Sequence, residues 1–265
     1  MKIAAIQHDI CWEDRLATFE RVGPMIAAAA GAGARIAVLT EMFAVGFSMD
    51  AERIAEPADG PSADFLRAQA ARHDIWLYGS APERSVPGDR ARNVGLLVGP
   101  DGTIHRYAKI HPFSYGGEDK VYEAGTETVT VEIDGLRISL FVCYDLRFAD
   151  EFWMLAPQTD CYLVCANWPE ARRLAWQTLL QSRAIENQAY VVGVNRVGEG
   201  GGLAYAGDSR IVDPLGELLA TGARTEALLV ADVTAEHVAS VRDRFRFLPD
   251  RRTYPLVFDA VATTT

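Results

Sequence analysis

Three side chains suited to acyl-transfer chemistry stand where apolar stretches of the chain end. Cys143 closes the run RISLFVC, Glu41 follows AVLT, and Lys109 precedes the loop IHPF. A thiol can act as a nucleophile, a carboxylate as a general base, and an ammonium group can stabilise an oxyanion. Taken singly, each residue is equally compatible with packing, an ion pair or a solvated surface, so the function depends on whether the three meet.

The elements that must position these residues alternate along the chain. Apolar runs of strand length are KIAAIQH, ARIAVLT, IWLYGS, RNVGLLVG, LRISLFVCYD, CYLVCAN, YVVGVNRV, DSRIVDP and ALLVADV. Helices are predicted at Trp12–Gly31, Ser62–His73, Phe148–Leu155 and Arg172–Asn187. Turn residues predict hairpins at Pro100–Thr103 (PDGT) and Asp213–Glu217 (DPLGE), so mixed sheets are expected.

The loops that follow the strands carry the candidate chemistry. They are EMFAVGFS, KIHPFSYGGEDK, CYDLRF and NWPEARR. Ligand sites of α/β proteins gather beyond strand ends, which favours a common site for these loops. Cys143 is expected at a sharp strand-to-helix turn with its sulfur displayed, where a helix N-terminus would lower the thiol pKa.

Together these segments resemble the nitrilase superfamily of carbon–nitrogen hydrolases. The resemblance is carried by LTEMFAVGFS around Glu41, YAKIHPF around Lys109 and LFVCYDLRF around Cys143. It implies a Glu-Lys-Cys catalytic triad and a second glutamate that orients the lysine, for which Glu118 in SYGGEDK is the match and Glu123 the fallback. It also implies an α/β fold, a four-layer α-β-β-α sandwich with mixed sheets.

Within the superfamily the chain is most similar to the ω-amidases. The similar segments are IQHDICWED, NWPEARRLAWQTLLQSRAIENQAYVVGVNRVG and YAGDSRIVDPLGE. The resemblance implies hydrolysis of the terminal amide of 2-oxoglutaramate or 2-oxosuccinamate through a Cys143 thioester, with water as co-substrate and without metal or organic cofactor. Lys109 and the backbone N–H of Tyr144 are then the expected oxyanion donors.

The substrate pocket is predicted with less support from the residues. An α-carboxylate needs a cation, and Arg147, Arg172 and Arg173 stand near the right loops. Arg147 and Arg173 are the predicted substrate-binding residues, with Arg173 as the clamp, although an arginine at position 147 is equally compatible with a structural ion pair. Aromatic walls are expected from three residues that are equally compatible with ordinary packing: Phe43, Tyr115 and Trp168. His111, Asn167 and Asn195 are interpreted as structural, the two asparagines holding loop backbone.

Composition limits the class of protein. Its 265 residues are 49% hydrophobic and 23% charged, which is typical of a folded globular chain. We predict a single domain over residues 1–260 and a short disordered tail at 261–265. A net charge of −10 argues against nucleic acid as a partner. No signal peptide or apolar span is visible, and four cysteines form no dense disulfide pattern, so a cytoplasmic enzyme without membrane contact is expected.

Alternatives remain open at this point. A nitrilase, a carbamoylase or a deaminated-glutathione amidase would share the triad and differ only in the pocket. A catalytically silent scaffold on the same fold would lack a triad member, whereas this chain has all three. The resemblance further implies homodimers or higher oligomers, with the helices at Phe148–Leu155 and Arg172–Asn187 as the contact face.

Overall fold

A computed structural model describes residues 1–86 and 88–252, so the tail predicted at 261–265 lies outside the described residues. The strands of the described part are β1 (Lys2–Gln7), β2 (Ile36–Val38), β3 (Trp76–Glu83), β4 (Arg92–Val98), β5 (Ile104–Ala108), β6 (Thr130–Ile133), β7 (Leu136–Val142), β8 (Cys161–Ala166), β9 (Tyr190–Asn195), β10 (Val197–Gly200), β11 (Leu203–Val212), β12 (Leu218–Ala223) and β13 (Ala227–Asp232). Its α-helices are α1 (Arg15–Gly31), α2 (Ala51–Ile54), α3 (Pro61–His73), α4 (Glu118–Val121), α5 (Ala149–Leu155), α6 (Arg173–Asn187) and α7 (Ala235–Arg244).

The strands form two mixed sheets. The first has six strands in the order β13-β1-β2-β3-β4-β5, and the second has the path β10-β11-β9-β8-β7-β6 with β12 paired to β11. Parallel pairs join β1 to β2 and β2 to β3 in one sheet, and β7 to β8 and β8 to β9 in the other. Both predicted hairpins are present, as the antiparallel pairs β4–β5 and β11–β12. The prediction of mixed sheets is therefore confirmed.

Two helical layers enclose the two sheets. Helices α1 and α3 pack on the first sheet, α6 packs on β9 and β11 of the second, and α5 packs against α6. The sheets face each other through the pairs β1–β9, β3–β8 and β4–β7. Fully buried side chains such as Tyr78, Phe141 and Leu163 fill the interior. The predicted four-layer α-β-β-α sandwich is confirmed.

Helix ends differ slightly from the predicted ones for local reasons. The first helix begins at Arg15 because the side chain of Asp14 caps it by accepting a hydrogen bond of 3.1 Å from the Ala17 N–H. The third begins at Pro61, whose fixed φ suits the first helical position. No helix in residues 1–86 or 88–252 is long and apolar enough to cross a membrane.

Two strands, β6 and β10, were not predicted, and β5 and β12 were predicted only as the second strands of the two hairpins. Strand β12 runs LLATGA with mostly exposed side chains, and β10 is the sequence VGEG. Each lacks the continuous apolar run that identifies a buried strand, because it lies on or near a sheet edge. Helix α7 was missed for a similar reason, since it buries only Val238 and Val241.

Candidate active site

The loops predicted to carry the chemistry meet at one end of the sandwich. Glu41 follows β2, Lys109 follows β5 and Cys143 follows β7, and all three line a single cavity of about 280 Å³. Parallel strands in the middle of both sheets end at this edge, which brings residues from distant parts of the sequence together. Tyr144 lines the same cavity, directly after the cysteine.

Cys143 occupies the sharp turn that the sequence predicted. Strand β7 ends at Val142, and a 3₁₀ helix runs from Cys143 to Arg147. The cysteine has φ of 48°, in the left-handed region that non-glycine residues rarely adopt. The turn presents the side chain to the cavity while leaving only 9% of the residue exposed. Since the N–H groups of a first helical turn have no partner within the helix, the Tyr144 amide is available at this point.

Lys109 lies between two buried carboxylates. Its Nζ is 2.9 Å from Glu41 Oε1 and 2.8 Å from Glu118 Oε2, and neither carboxylate is exposed. The side-chain amide of Asn93 donates to both glutamates, at 2.8 and 3.1 Å. Glu123, the fallback for the second glutamate, instead pairs with Arg92 at the surface. The geometry therefore favours Glu118 over Glu123.

The charges of this cluster determine its protonation. Burial alone would lower the pKa of Lys109, but Glu118 and Glu41 outweigh that effect and raise the pKa well above its usual value. Burial raises the pKa of Glu118, despite the neighbouring ammonium. Lys109 by itself would lower the pKa of the nearby Cys143 thiol, but the negative charge of Glu41 opposes this effect more strongly.

The pKa of the Cys143 thiol accordingly shifts in the opposite direction from the one predicted. Burial and the negative charge of Glu41 raise the pKa of Cys143 well above its usual value, whereas a helix N-terminus was expected to lower it. Five residues of 3₁₀ helix provide too small a dipole to overcome burial beside a carboxylate. Burial and the neighbouring carboxylate therefore favour the protonated thiol, and Glu41 lines the same cavity as a candidate base.

Two asparagines hold the loop backbone around Glu41, as their interpretation proposed. The Asn167 N–H donates to Glu41 Oε2 at 2.8 Å, and its side-chain amide donates to the Glu41 carbonyl at 2.5 Å. Asn195 donates to the carbonyls of Trp168 and Gly207, and its Oδ1 accepts from the Trp168 N–H. Asn93 on β4 and Asn167 after β8 therefore hold the Glu41 carboxylate from both sheets.

Two of the three predicted aromatic walls lie elsewhere. Phe43 is fully buried in the core, where its ring packs with Phe65, and Tyr115 is 87% exposed. Phe47 and Phe113 line the cavity instead, while Trp168 lies where it was predicted. Phe113 follows Lys109 in the same loop, so its position in the sequence could have identified it as a cavity-lining residue. The exposed Tyr115 shows that an aromatic side chain near a site need not face it.

The three arginines near the site differ in the groups that they contact. Arg147 and Arg172 line the cavity, stacked on the rings of Trp168 and Phe113 at 4.7 and 5.2 Å. Neither has a carboxylate partner among residues 1–86 and 88–252. Arg173 does not line the cavity, because Asp208 binds its guanidinium with two hydrogen bonds of 2.9 and 2.8 Å. The prediction of Arg173 as the substrate clamp is therefore wrong, and the adjacent Arg172 is the candidate instead.

Another part of the cavity wall was not predicted at all. It contains Trp12, Gly201, Leu203 and Tyr205. The fully buried Arg196 supports it by stacking on Tyr205 at 4.6 Å and by donating to Asp9 and to the Glu199 carbonyl. The glycine run after Glu199 was the available signal, since residues 201 and 202 have positive φ values that favour glycine.

Comparison with known proteins identifies the family. A family model described as carbon–nitrogen hydrolase matches residues 2–243. The chain belongs to the carbon–nitrogen hydrolase family. It is 42% identical over 248 residues to omega-amidase YafV of Yersinia enterocolitica, covering 92% of this chain and 94% of the relative. It is 32% identical over 224 residues to 2-oxoglutaramate amidase of Bacillus subtilis, covering 83% and 85%.

A solved structure agrees with these relatives. XC1258 from Xanthomonas campestris, a CN-hydrolase superfamily protein with an arsenic adduct in its active site, superposes with a TM-score of 0.90. The two are 37% identical, covering 97% of this chain and 99% of the other. The predicted membership of the nitrilase superfamily, in its ω-amidase branch, is confirmed, and this carbon–nitrogen hydrolase is an amidohydrolase. Among the described residues, no three His, Cys, Asp or Glu side chains form a metal site.

In this carbon–nitrogen hydrolase, we expect Glu118→Gln to lower kcat by about 10- to 100-fold, the contribution of one charged hydrogen bond. This loss is smaller than those expected for Cys143→Ala, Glu41→Gln or Lys109→Ala. Removing the charge of Glu118 also lowers the pKa of Lys109, because that carboxylate helps to raise it. The alkaline limb of the kcat–pH profile should therefore move to lower pH, which a profile of ammonia release measures.

Glu123→Gln is the matched control for this experiment. Glu123 follows the same loop but pairs with Arg92 at the surface, so its replacement should leave kcat and the pH profile unchanged. If the two variants behaved alike, the role given to Glu118 would have to be reassigned.

Proposed function

We propose that this amidohydrolase removes ammonia from the terminal amide of 2-oxoglutaramate or 2-oxosuccinamate, and that Cys143, Glu41, Lys109 and Glu118 form its catalytic centre. The names of the relatives support this substrate class. The observation that carries the proposal is the pair of guanidinium groups, Arg147 and Arg172, that face the triad without carboxylate partners in the described chain.

The charge of the cavity favours an oxo acid over an amino acid. Two stacked guanidinium groups offer several N–H donors to an α-carboxylate and to a 2-oxo oxygen. The α-ammonium of glutamine would instead meet two cations, while the carboxylates of Glu41 and Glu118 are already bound to Lys109. We therefore expect 2-oxoglutaramate to be a much better substrate than glutamine.

The reaction follows from the contacts around Cys143. Glu41 takes the thiol proton as the sulfur attacks the amide carbon, and the carbonyl oxygen becomes an oxyanion bound by the Lys109 ammonium and the Tyr144 N–H. Glu41 then gives the proton to the amide nitrogen, the C–N bond breaks, and ammonia leaves a Cys143 thioester. A water molecule, deprotonated by Glu41, attacks the thioester and releases the carboxylate product and the thiol.

Because the resting thiol is protonated in this proposal, most of the rate enhancement must come from a source other than a preformed thiolate. Even a thiol of ordinary pKa gains at most about 2 kcal/mol from full deprotonation at neutral pH. An oxyanion donor typically contributes about 2.7–4 kcal/mol. Proton transfer to Glu41 therefore accompanies the attack, and Lys109 and Tyr144 provide the larger share of the stabilisation.

A substrate panel tests the proposed activity. Ammonia release is measured from 2-oxoglutaramate, glutamine, a simple nitrile and an N-carbamoyl amino acid. We expect release chiefly from 2-oxoglutaramate. Release from one of the other compounds but not from 2-oxoglutaramate would overturn the substrate assignment and leave the amidohydrolase class unaffected.

Replacing Arg172 tests the substrate clamp. Arg172→Gln should raise KM for 2-oxoglutaramate by about 10- to 100-fold, since a hydrogen bond to a charged group is worth about 1.5–3 kcal/mol. Hydrolysis of an uncharged amide such as propionamide should be unaffected, because it offers no carboxylate. The adjacent Arg173→Gln is the control: it leaves Asp208 unpaired and lowers the melting temperature, while KM stays unchanged. Equal effects of both variants on KM would contradict the clamp.

The proposal also covers assembly and location. We infer a single catalytic domain over residues 1–260 that forms homodimers through α5 and α6, which expose Met154, Leu174 and Ile185. A monomer in light scattering coupled to size-exclusion chromatography would contradict this. A cytoplasmic location is inferred because all four cysteines are free and the nucleophile must stay reduced.

A further inference from the structure

One buried carboxylate next to the nucleophile has no role in the proposed reaction. Asp145 is 1% exposed and accepts four hydrogen bonds. Its Oδ2 accepts from the Val142 N–H at 3.0 Å and the Tyr107 hydroxyl at 2.8 Å. Its Oδ1 accepts from the N–H of His111 at 2.9 Å and from its Nδ1 at 3.1 Å. Each carboxylate oxygen therefore has two donors.

The donors come from the two segments that carry the catalytic pair. Tyr107 and His111 flank Lys109 on both sides, and Val142 directly precedes Cys143. Strands β5 and β7 belong to different sheets, so no backbone ladder connects these segments. Asp145 provides a polar connection between them, and it does so without lining the cavity itself.

The local backbone makes such a connection necessary. Cys143 has φ of 48°, a conformation that persists in a non-glycine residue only where its surroundings fix it. The hydrogen bond from Val142 to Asp145 closes the turn around this residue. The ring of His111 stacks on Phe148 at 3.8 Å, and its Nε2 lies 3.3 Å from Glu151, which ties the far end of the same turn to the lysine loop.

We propose that Asp145 is a positioning residue that holds the strained Cys143 turn at a fixed distance from Lys109, so that sulfur and ammonium reach the same carbonyl group. It acts through Tyr107, His111 and Val142 and does not touch the substrate. The inference deepens the proposed function, because it assumes that Cys143 and Lys109 act on one carbonyl.

Asp145→Asn tests the role directly. An amide nitrogen would face donors on one side of the carboxylate's position, so the turn must shift. We expect kcat to fall about 100-fold, the cost of misplacing reacting groups by roughly 1 Å. The rate at which iodoacetamide modifies Cys143, followed by intact mass and peptide mapping, should change as well, and this readout needs no natural substrate.

Asp160→Asn is the matched control. Asp160 is also a buried aspartate, 3% exposed, that accepts from the backbone and side chain of Arg137, but it lies away from the cavity. Its replacement should lower the melting temperature and leave kcat and the Cys143 modification rate unchanged. If Asp145→Asn lowered the melting temperature equally but left kcat and modification as in the control, Asp145 would be structural only and the proposal overturned.

Tyr107→Phe keeps the test decisive if Asp145→Asn does not fold. It removes one donor and retains the buried ring. We expect a smaller fall in kcat than the aspartate variant would give, with an altered modification rate of Cys143. Unchanged values of both would contradict the proposal. The wild-type protein could prove inactive on 2-oxoglutaramate while the Asp145 and Tyr107 variants still change the rate of Cys143 modification. That result would overturn the substrate assignment and support the positioning role.

Discussion

Cys143→Ala should reduce ammonia release from 2-oxoglutaramate to background, a loss on the order of 10⁶-fold in kcat, as for other hydrolases that lose their nucleophile. The reason is that the proposed oxyanion donors, Lys109 and the Tyr144 N–H, have nothing to stabilise unless sulfur attacks. Alanine relieves the side-chain packing at a residue of φ 48° without adding bulk, so the fold should persist. Initial rates of ammonia release and circular dichroism measure the two properties.

Cys161→Ala separates loss of the nucleophile from loss of a buried thiol. Cys161 is fully buried in β8 and is remote from the cavity, so its replacement should cost some stability and leave turnover intact. Iodoacetamide should modify the wild-type protein at Cys143 and leave Cys143→Ala without an adduct at that position. Residual turnover in Cys143→Ala well above background would mean that another group attacks the amide.

Glu41→Gln should reduce kcat by about 10³- to 10⁴-fold, because in the proposed reaction this one base serves both thioester formation and thioester hydrolysis. The same substitution should have the opposite effect on the thiol. Since the charge of Glu41 raises the pKa of Cys143, a neutral glutamine lowers that pKa. We therefore expect alkylation of Cys143 by iodoacetamide to become faster at neutral pH while turnover falls. The pH dependence of the alkylation rate measures the shift.

The control for Glu41→Gln is a second buried glutamate. Glu83 is 4% exposed, and burial raises its pKa to about 7, so glutamine imitates a form that is already populated at neutral pH. Glu83→Gln should leave both turnover and the alkylation rate of Cys143 unchanged. Slower alkylation in Glu41→Gln would show that Glu41 does not raise the thiol pKa, and the proposed proton transfer would have to be revised.

The sequence predicted the chemistry through the three residues together. Glu41 and Cys143 each follow a continuous apolar run, whereas β5 before Lys109 has none, and the resemblance of all three segments to the nitrilase superfamily identified them as a triad. The layer order followed from the resemblance to that superfamily, and both hairpins followed from turn residues. The edge strands β6 and β10 escaped prediction because neither contains a continuous apolar run.

Only the tertiary structure decided which neighbours face the cavity. Arg172 and Arg173 are adjacent, but Arg172 precedes α6 with non-helical backbone (φ of −119°) and lines the cavity, whereas Arg173 begins the helix and binds Asp208. Phe113 also lines the cavity, whereas Tyr115, two residues further along the same loop, is exposed. The protonation of Cys143 and the four contacts of Asp145 likewise depend on groups brought from other strands. The sequence determined which chemical groups this amidohydrolase possesses. The orientation of those groups, their exposure to solvent and the charges around them depend on interatomic distances, and these distances are set only when the two sheets pack together.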